Sequence, residues 1–168
     1  GIHCHIGSQL TQLQPIIESV KIITDLVRNL KAIKIELSFM DIGGGLGIVY
    51  KDEVLIDTKE YAQSVLDAMF KLDITVICEP GRFMVGNAGT FVTKVLYEKI
   101  NGNKRFVIVD GAMNDLIRPS LYNAYHRIEV LNDNQEFSDC NLVGPVCESG
   151  DFFAKNVQLP KTQHNDLV

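Results

Sequence analysis

The sequence has 168 residues, of which 46% are hydrophobic and 22% charged, a composition typical of a globular chain that can bury a core. Its net charge of -5 argues against a nucleic-acid partner, because no excess of Lys and Arg is available to neutralise phosphates. The apolar runs are too short to span a bilayer, so we expect no membrane partner. The four cysteines lack CxxC spacing, so we expect no metal site and a reducing, cytoplasmic location.

Residues 1–9 are predicted to be the end of a strand and the loop after it. His3 and His5 alternate with apolar residues, so both imidazoles are expected on one face of the strand. Two histidines could ligate a metal, but no carboxylate or third histidine follows at a useful spacing. Packed or hydrogen-bonded histidines are therefore the favoured interpretation. Ser8 follows Gly7 in the loop, where its hydroxyl could reach an anion.

A helix is predicted over residues 11–31, because apolar residues recur at steps of four and three and form one stripe. Thr11 and Gln14 at its start have the spacing of a capping box. A strand over residues 33–42 then leads directly into three glycines, Gly43, Gly44 and Gly45. Glycines permit positive φ and close approach of the backbone, and such a turn commonly binds phosphate. A tight connection without a ligand is the alternative for this motif taken alone.

A second helix is predicted to begin at Thr58, its N-cap, and its apolar stripe extends to Leu72. The next apolar run, residues 74–78, reads as a short strand buried on both faces. This strand ends in a carboxylate, a turn and a guanidinium, supplied by Glu79, Gly81 and Arg82.

Polar groups follow three strand ends at nearly equal intervals, at His5, Asp41 and Glu79, with a helix between each pair. A βα repeat of this length predicts an α/β fold in which residues 1–86 are the last units of a (β/α)₈ barrel. Ligands in that fold bind at the C-terminal ends of the strands. A doubly wound sheet is the rival, but it would concentrate its glycines in one fingerprint.

After Gly86 the pattern becomes that of a β-structure. We predict an antiparallel hairpin here. Residues 89–100 alternate, an Asn-Gly turn follows, and a further strand ends at Asp110. A polar loop over residues 144–151 lies between later strands. We therefore predict that residues 87–168 form part of a mainly antiparallel β-domain.

The predicted loop groups together suit a cofactor with a phosphate and an aromatic ring. Glycine N–H groups, a serine and an arginine suit the phosphate, a carboxylate would keep a ring nitrogen protonated, and a histidine could stack on the ring. Each group also has a simpler interpretation. Glu79 and Arg82 could form a structural ion pair, and Cys147 could be a buried thiol. Arg118 and Tyr122, at i and i+4, could be a contact on a helix face.

Six motifs, in this order, resemble the diaminopimelate decarboxylase family over residues 1 to about 160. They are His5-Ile6-Gly7-Ser8-Gln9, Asp41-Ile42-Gly43-Gly44-Gly45, Glu79-Pro80-Gly81-Arg82, Asp110-Gly111-Ala112-Met113-Asn114-Asp115, Arg118-Pro119-Ser120-Leu121-Tyr122 and Cys147-Glu148-Ser149-Gly150-Asp151. The first three are shared with the ornithine and arginine decarboxylases of the same alanine-racemase-like class (fold type III), whereas the last three are more specific to the diaminopimelate enzymes.

The resemblance implies a pyridoxal 5'-phosphate (PLP) enzyme that works as a homodimer with active sites at the subunit interface. It implies conversion of meso-2,6-diaminopimelate to L-lysine and CO₂, the last step of lysine biosynthesis. The implied cofactor-binding residues are His5, Ser8, Gly43, Gly44, Gly45, Glu79, Gly81 and Arg82. The implied substrate-binding residues are Arg82, Arg118, Tyr122 and Glu148, and the implied catalytic residues are His5 and Cys147. In this scheme His5 stacks on the ring, Glu79 pairs with its nitrogen, and Cys147 of a second subunit donates the proton that replaces the lost carboxylate.

The family's covalent anchor for PLP, a lysine, is expected upstream of Gly1, and a further tyrosine of the site is expected beyond Val168. We therefore expect the chain to be the central part of a longer enzyme and to be inactive by itself. Two alternatives are a related PLP decarboxylase that acts on ornithine, arginine or carboxynorspermidine, and a non-catalytic PLP-binding protein.

Overall fold

A computed structural model describes all residues from Gly1 to Val168 and divides them into two compact units, Gly1–Thr90 and Phe91–Val168. Unit 1 contains β1 (Ile2–His3), α1 (Leu13–Ala32), β2 (Phe39–Asp41), α2 (Thr58–Ala68), β3 (Thr75–Ile77) and α3 (Gly81–Val85). Unit 2 contains β4 (Val95–Asn101), β5 (Lys104–Val109), α4 (Arg118–Tyr122), β6 (Phe137–Val143) and β7 (Phe152–Pro160). The division follows shortly after Gly86, where we placed the domain boundary.

Unit 1 is built on a three-stranded parallel sheet in the order β1-β2-β3. Met40 at the middle of the central strand pairs with Ile2 on one side and Val76 on the other, and its side chain is fully buried. The apolar stripe of α1 packs into the same core through Val20 and Val27. The predicted α/β class, with parallel strands joined by helices, is confirmed.

The predicted strand over residues 33–42 is wrong in its first half. Helix α1 continues to Ala32, and the N–H groups of Ile33 and Ile35 both donate to the carbonyl of Leu30, which closes a turn. Lys34 in this turn has a φ of +68°. The side chains at 33 and 35 are therefore exposed, and only Phe39–Asp41 joins the sheet.

Both predicted helix starts also need correction. Helix α1 begins at Leu13, and the residue before it, Gln12, makes no side-chain hydrogen bond to the helix, so the capping box at Thr11 is not formed. Helix α2 is capped by Asp57, whose carboxylate accepts hydrogen bonds from the N–H groups of Lys59 and Glu60, both at 2.9 Å. Asp57 has extended backbone angles, whereas Thr58 is already helical, so the cap precedes the predicted residue.

Unit 2 is a four-stranded mixed sheet in the order β4-β5-β6-β7. The predicted hairpin is present: β4 and β5 are antiparallel, and Gly102 at their turn has a φ of +58°. Strands β6 and β7 are also antiparallel, whereas β5 and β6 run parallel. Val95, Val107 and Val109 are fully buried in the core of this unit. None of the helices in either unit combines the length and apolar composition needed to cross a bilayer.

A charged network ties the hairpin to the residues after β7. Arg105 Nη2 lies 2.5 Å from Glu98 Oε1, and Arg105 Nη1 donates to the carbonyl of Leu159 at 3.0 Å. The same Glu98 oxygen accepts from the N–H and the hydroxyl of Thr162, at 2.7 and 2.6 Å. Burial by itself would raise the pKa of Glu98, but the hydrogen bonds from Arg105 and Thr162 outweigh burial and lower it.

This network stabilises the fold at neutral pH, and we expect the protein to become less stable in acid as that contribution is lost. Because the pKa of Glu98 is lower in the folded chain than its ordinary value of 4.5, its contribution is present above that value and is lost as the pH falls through the folded pKa. The free energy of urea unfolding, measured from neutral pH to about pH 3, should fall less steeply in Glu98→Gln than in the wild type. Glu129→Gln, which breaks an exposed ion pair with Arg127, is the control and should follow the wild-type curve. Parallel curves for the wild type and Glu98→Gln would contradict the assignment.

Candidate active site

The C-terminal ends of the three parallel strands lie side by side in unit 1. The N–H of Cys4, just after β1, donates to the carbonyl of Asp41 at 3.0 Å, and the N–H of Glu79, just after β3, donates to the carbonyl of Gly43 at 2.8 Å. These bonds continue the sheet beyond its last paired residues. The structure therefore brings the loops that carry His5, the three glycines and Glu79 to one edge of the sheet.

The glycines are required by the close packing of these loops. A Cβ at Gly44 would overlap the carbonyl oxygen of Glu79, and a Cβ at Gly45 would overlap the carbonyl oxygen of Gly7. Gly45 also has a φ of +100°, a conformation that side chains strongly disfavour. No atom lies within 4 Å of a Cβ built on Gly7 or Gly81, so the edge has room beside both of these glycines.

The N–H groups of these glycines differ in what they bind. Gly43 donates to Asp41 Oδ1 at 2.8 Å, and Gly81 donates to the carbonyl of Glu79 at 2.8 Å. Gly44 donates to a ring nitrogen of His5. The N–H of Gly45 has no acceptor within the chain. The N–H of Gly81 is thus bonded within its own turn, whereas the N–H of Gly45 is free; Gly81 stays a predicted cofactor-binding residue.

His5 is held in one orientation by the glycine turn. Its Nδ1 accepts the N–H of Gly44 at 3.3 Å, so the ring proton of the neutral imidazole is on Nε2. The ring itself is exposed, and so is Ser8 in the same loop. Arg82, in the first turn of α3, is half-buried. An exposed, oriented imidazole has a face available for stacking on a planar ligand.

Sequence reasoning missed a cluster formed by His3, Asp41 and Glu79. His3 Nε2 lies 3.4 Å from Glu79 Oε2, and the potential ligand atoms of the three residues all lie within 4.8 Å of one another. The side chain beside the Glu79 carboxylate is thus His3, and the ion pair with Arg82 that we considered is not formed. The cluster depends on the strand register, in which His3 pairs with Asp41 and Asp41 pairs with Ile77, and the sequence pattern alone does not give that register.

In unit 2, the segment that follows β5 is fixed by Asp110. Its Oδ1 accepts from the hydroxyl of Thr93 at 2.6 Å and from the N–H of Lys94 at 2.7 Å, and these bonds lower the pKa of Asp110. The segment then forms α4, which begins at Arg118 and presents Tyr122 to solvent. Arg118 and Tyr122 are therefore the first and last residues of one short helix, as their i, i+4 spacing suggested.

The turn between β6 and β7 carries Cys147 and Glu148. The thiol is exposed, so Cys147 is not the buried cysteine that we considered as an alternative. Glu148 Oε1 accepts from the N–H of Gly150 at 3.0 Å and from the hydroxyl of Ser149 at 3.1 Å. These bonds lower the pKa of Glu148, so it is a carboxylate at neutral pH.

The predicted site residues thus form two sets, one in each unit. The set at the sheet edge of unit 1 is His5, Ser8, Gly43, Gly44, Gly45, Glu79, Gly81 and Arg82. The set in the loops of unit 2 is Arg118, Tyr122, Cys147 and Glu148.

Comparison with known proteins identifies the family. Residues 16–168 match the family described as "Pyridoxal-dependent decarboxylase, C-terminal sheet domain". The chain belongs to this family. The resemblance drawn from the six motifs is therefore confirmed, and so is the place of the chain among pyridoxal-dependent decarboxylases.

Individual relatives agree with the motifs. Diaminopimelate decarboxylase of Campylobacter jejuni is 56% identical over 100% of this chain, which covers 42% of that protein. The crystal structure of diaminopimelate decarboxylase from Helicobacter pylori complexed with L-lysine is 50% identical, with a TM-score of 0.90 over 98% of this chain and 41% of that one. Lysine/ornithine decarboxylase from Vibrio vulnificus complexed with cadaverine is 25% identical, with a TM-score of 0.86 over 99% of this chain and 46% of that one. The chain thus spans less than half the length of each of these relatives.

Proposed function

We propose that this chain is part of a PLP-dependent carboxy-lyase that converts meso-2,6-diaminopimelate to L-lysine and CO₂. The observation that carries the proposal is the contrast in identity, 56% to a diaminopimelate decarboxylase against 25% to a lysine/ornithine decarboxylase of nearly the same fold. Because the chain covers 42% of the first relative, the activity is proposed for the longer protein that contains it.

The sheet edge of unit 1 fits PLP. The free N–H of Gly45, the hydroxyl of Ser8 and the guanidinium of Arg82 would hold the phosphate, and the room beside Gly7 would admit it. Gly43 and Gly44 would serve by permitting close packing, since their N–H groups are already bonded.

Two further groups at this edge suit the pyridine ring. The exposed face of His5 would stack on it, and the carboxylate of Glu79 would keep the ring nitrogen protonated. PLP, when bound, supplies an electron-withdrawing ring that stabilises negative charge where the carboxylate leaves.

The loops of unit 2 suit the far end of diaminopimelate, which carries both an ammonium and a carboxylate. Glu148, a carboxylate at neutral pH, would pair with the ammonium. Arg118 would bind the carboxylate and Tyr122 would add a hydrogen bond; Arg82, on unit 1, is likewise proposed to bind substrate. Ornithine has no distal carboxylate, so these arginines favour diaminopimelate over ornithine.

We assign proton donation to Cys147 and propose that it acts in a homodimer, from the partner subunit. Its thiol is exposed on a turn next to the substrate-binding Glu148, and a thiol is a competent general acid. The four free cysteines are in keeping with a cytoplasmic location, which we also propose.

The absorbance of bound PLP in the full-length protein tests this function. We expect diaminopimelate to shift the PLP band and release CO₂, and ornithine and arginine to do neither. The response should persist in EDTA, although His3, Asp41 and Glu79 could hold a cation. A shift with ornithine would favour the related decarboxylases, and PLP binding without any response to amino acids would favour a non-catalytic PLP-binding protein. Loss of activity in EDTA would point to a metal at the His3 cluster.

A further inference from the structure

Asp151, at the end of the turn between β6 and β7, is a buried carboxylate that none of the proposed roles uses. Its exposure is 4%, and each oxygen accepts a backbone N–H: Oδ1 from Met113 at 2.6 Å and Oδ2 from Val146 at 2.7 Å. A carboxylate is unfavourable in a buried position unless its oxygens are hydrogen-bonded, and here both are.

The two N–H donors belong to different segments of unit 2. Met113 lies on the segment that leads into α4, the helix that carries Arg118 and Tyr122. Val146 immediately precedes Cys147. One side chain therefore links the segment of the proposed substrate-binding residues to the turn of the proposed proton donor.

The backbone of Asp151 closes the same turn. Its N–H donates to the carbonyl of Glu148 at 3.0 Å, and its carbonyl accepts the N–H of Gly144 at 3.1 Å. A Cβ at Gly144 would overlap the Asp151 carboxylate, so only glycine fits there. A Cβ at Gly150 would lie 2.9 Å from Ser120 Oγ, which shows that the turn packs against α4.

We propose that Asp151 is a positioning residue that holds the Cys147–Glu148 turn against the segment before α4. Through these bonds it fixes the position of the turn from which Cys147 would reach the active site of the partner subunit. The inference rests on the proposed function, because it assigns Asp151 to act through Cys147.

The test is Asp151→Asn in the full-length protein. Asparagine keeps the size but replaces one acceptor oxygen with an NH₂ group that faces an N–H donor. We expect kcat for diaminopimelate to fall about tenfold to a hundredfold, since a displaced catalytic group has an effect of this size, and PLP absorbance to stay unchanged. Amide hydrogen exchange at Met113 and Val146 should accelerate. Asp139→Asn removes an exposed carboxylate on β6 that accepts from Gln158, and it should keep the wild-type kcat.

A double-mutant cycle separates positioning from general damage. If Asp151 acts through Cys147, Asp151→Asn should reduce kcat less than about twofold in a Cys147→Ala background. The inference would be overturned if the fold-losses in kcat of the two single variants multiplied in the double variant. A normal kcat in Asp151→Asn would also overturn it. A normal kcat in Cys147→Ala would instead overturn the proposed proton donor, and with it the basis of the inference. If Asp151→Asn does not fold, Gly144→Ala displaces the same carboxylate without removing it and supplies the same comparison.

Discussion

Replacing Cys147 with alanine in the full-length protein is expected to lower the rate of CO₂ release from diaminopimelate about 10²–10⁴-fold, the range that a positioned acid contributes. The side chain is exposed and packs in no core, so its removal should leave the free energy of unfolding unchanged. Bound PLP should keep its absorbance, because no proposed PLP contact lies on this turn. Steady-state CO₂ release, PLP absorbance and urea unfolding together check the prediction.

The neighbouring residue supplies a matched control for Cys147. Val146→Ala trims an exposed side chain on the same turn and preserves the N–H that Asp151 binds, so turnover should remain within about twofold of wild type. Cys147→Ser keeps the size but replaces the thiol with a far weaker acid, and it should be nearly as slow as Cys147→Ala. Wild-type turnover in both Cys147 variants would show that another group donates the proton.

The meeting of the three loops at the strand ends was predictable because each loop carries local signals. An apolar run followed by glycines and polar side chains marks a strand end whatever the rest of the fold is. The extent of the strands was not predictable in the same way. Ile33 and Ile35 alternate like strand residues, yet their N–H groups close the end of α1, and a hydrophobic pattern does not reveal such a turn.

The pairing of His3 with Glu79 was hidden for a different reason. The two residues are far apart in the chain, and only the register of three parallel strands brings them within 3.4 Å. Period-two alternation gives the face of each residue but not which residue of the next strand lies beside it. The site on unit 1 was therefore predicted as a set of loops, without the contacts between them.

The parallel pairing of β5 and β6 in unit 2 was also not predictable from alternation. Alternation in β5 and β6 is the same for parallel and antiparallel neighbours, so the sequence favoured the commoner antiparallel arrangement. The long connection that contains α4 allows the chain to cross over and return in the same direction. That crossover also places α4 where the turn after β6 can pack against it, as the contact between Ser120 and Gly150 shows.

A large effect on unit 1 is expected from Gly44→Ala. Gly44 has an ordinary φ, so the added methyl group fails for lack of space: it would overlap the carbonyl oxygen of Glu79, which is backbone and cannot rotate away. The overlap should reduce the free energy of unfolding by about 1–3 kcal/mol, the usual range for an overpacked site. That carbonyl also accepts the N–H of Gly81, so its displacement should disturb the start of α3 and Arg82. We therefore expect the full-length variant to lose most of its affinity for PLP.

A second glycine distinguishes the loss of space from a general effect of alanine. Gly89→Ala adds the same methyl group where no atom lies within 4 Å, and it should keep both wild-type stability and PLP affinity. Urea unfolding and titration with PLP, followed by absorbance, measure the two quantities separately. A Gly44→Ala variant that is destabilised but binds PLP normally would place the cofactor away from this edge. Loss of PLP affinity together with destabilisation supports the view that the packing of the glycine turn against Glu79 shapes the site.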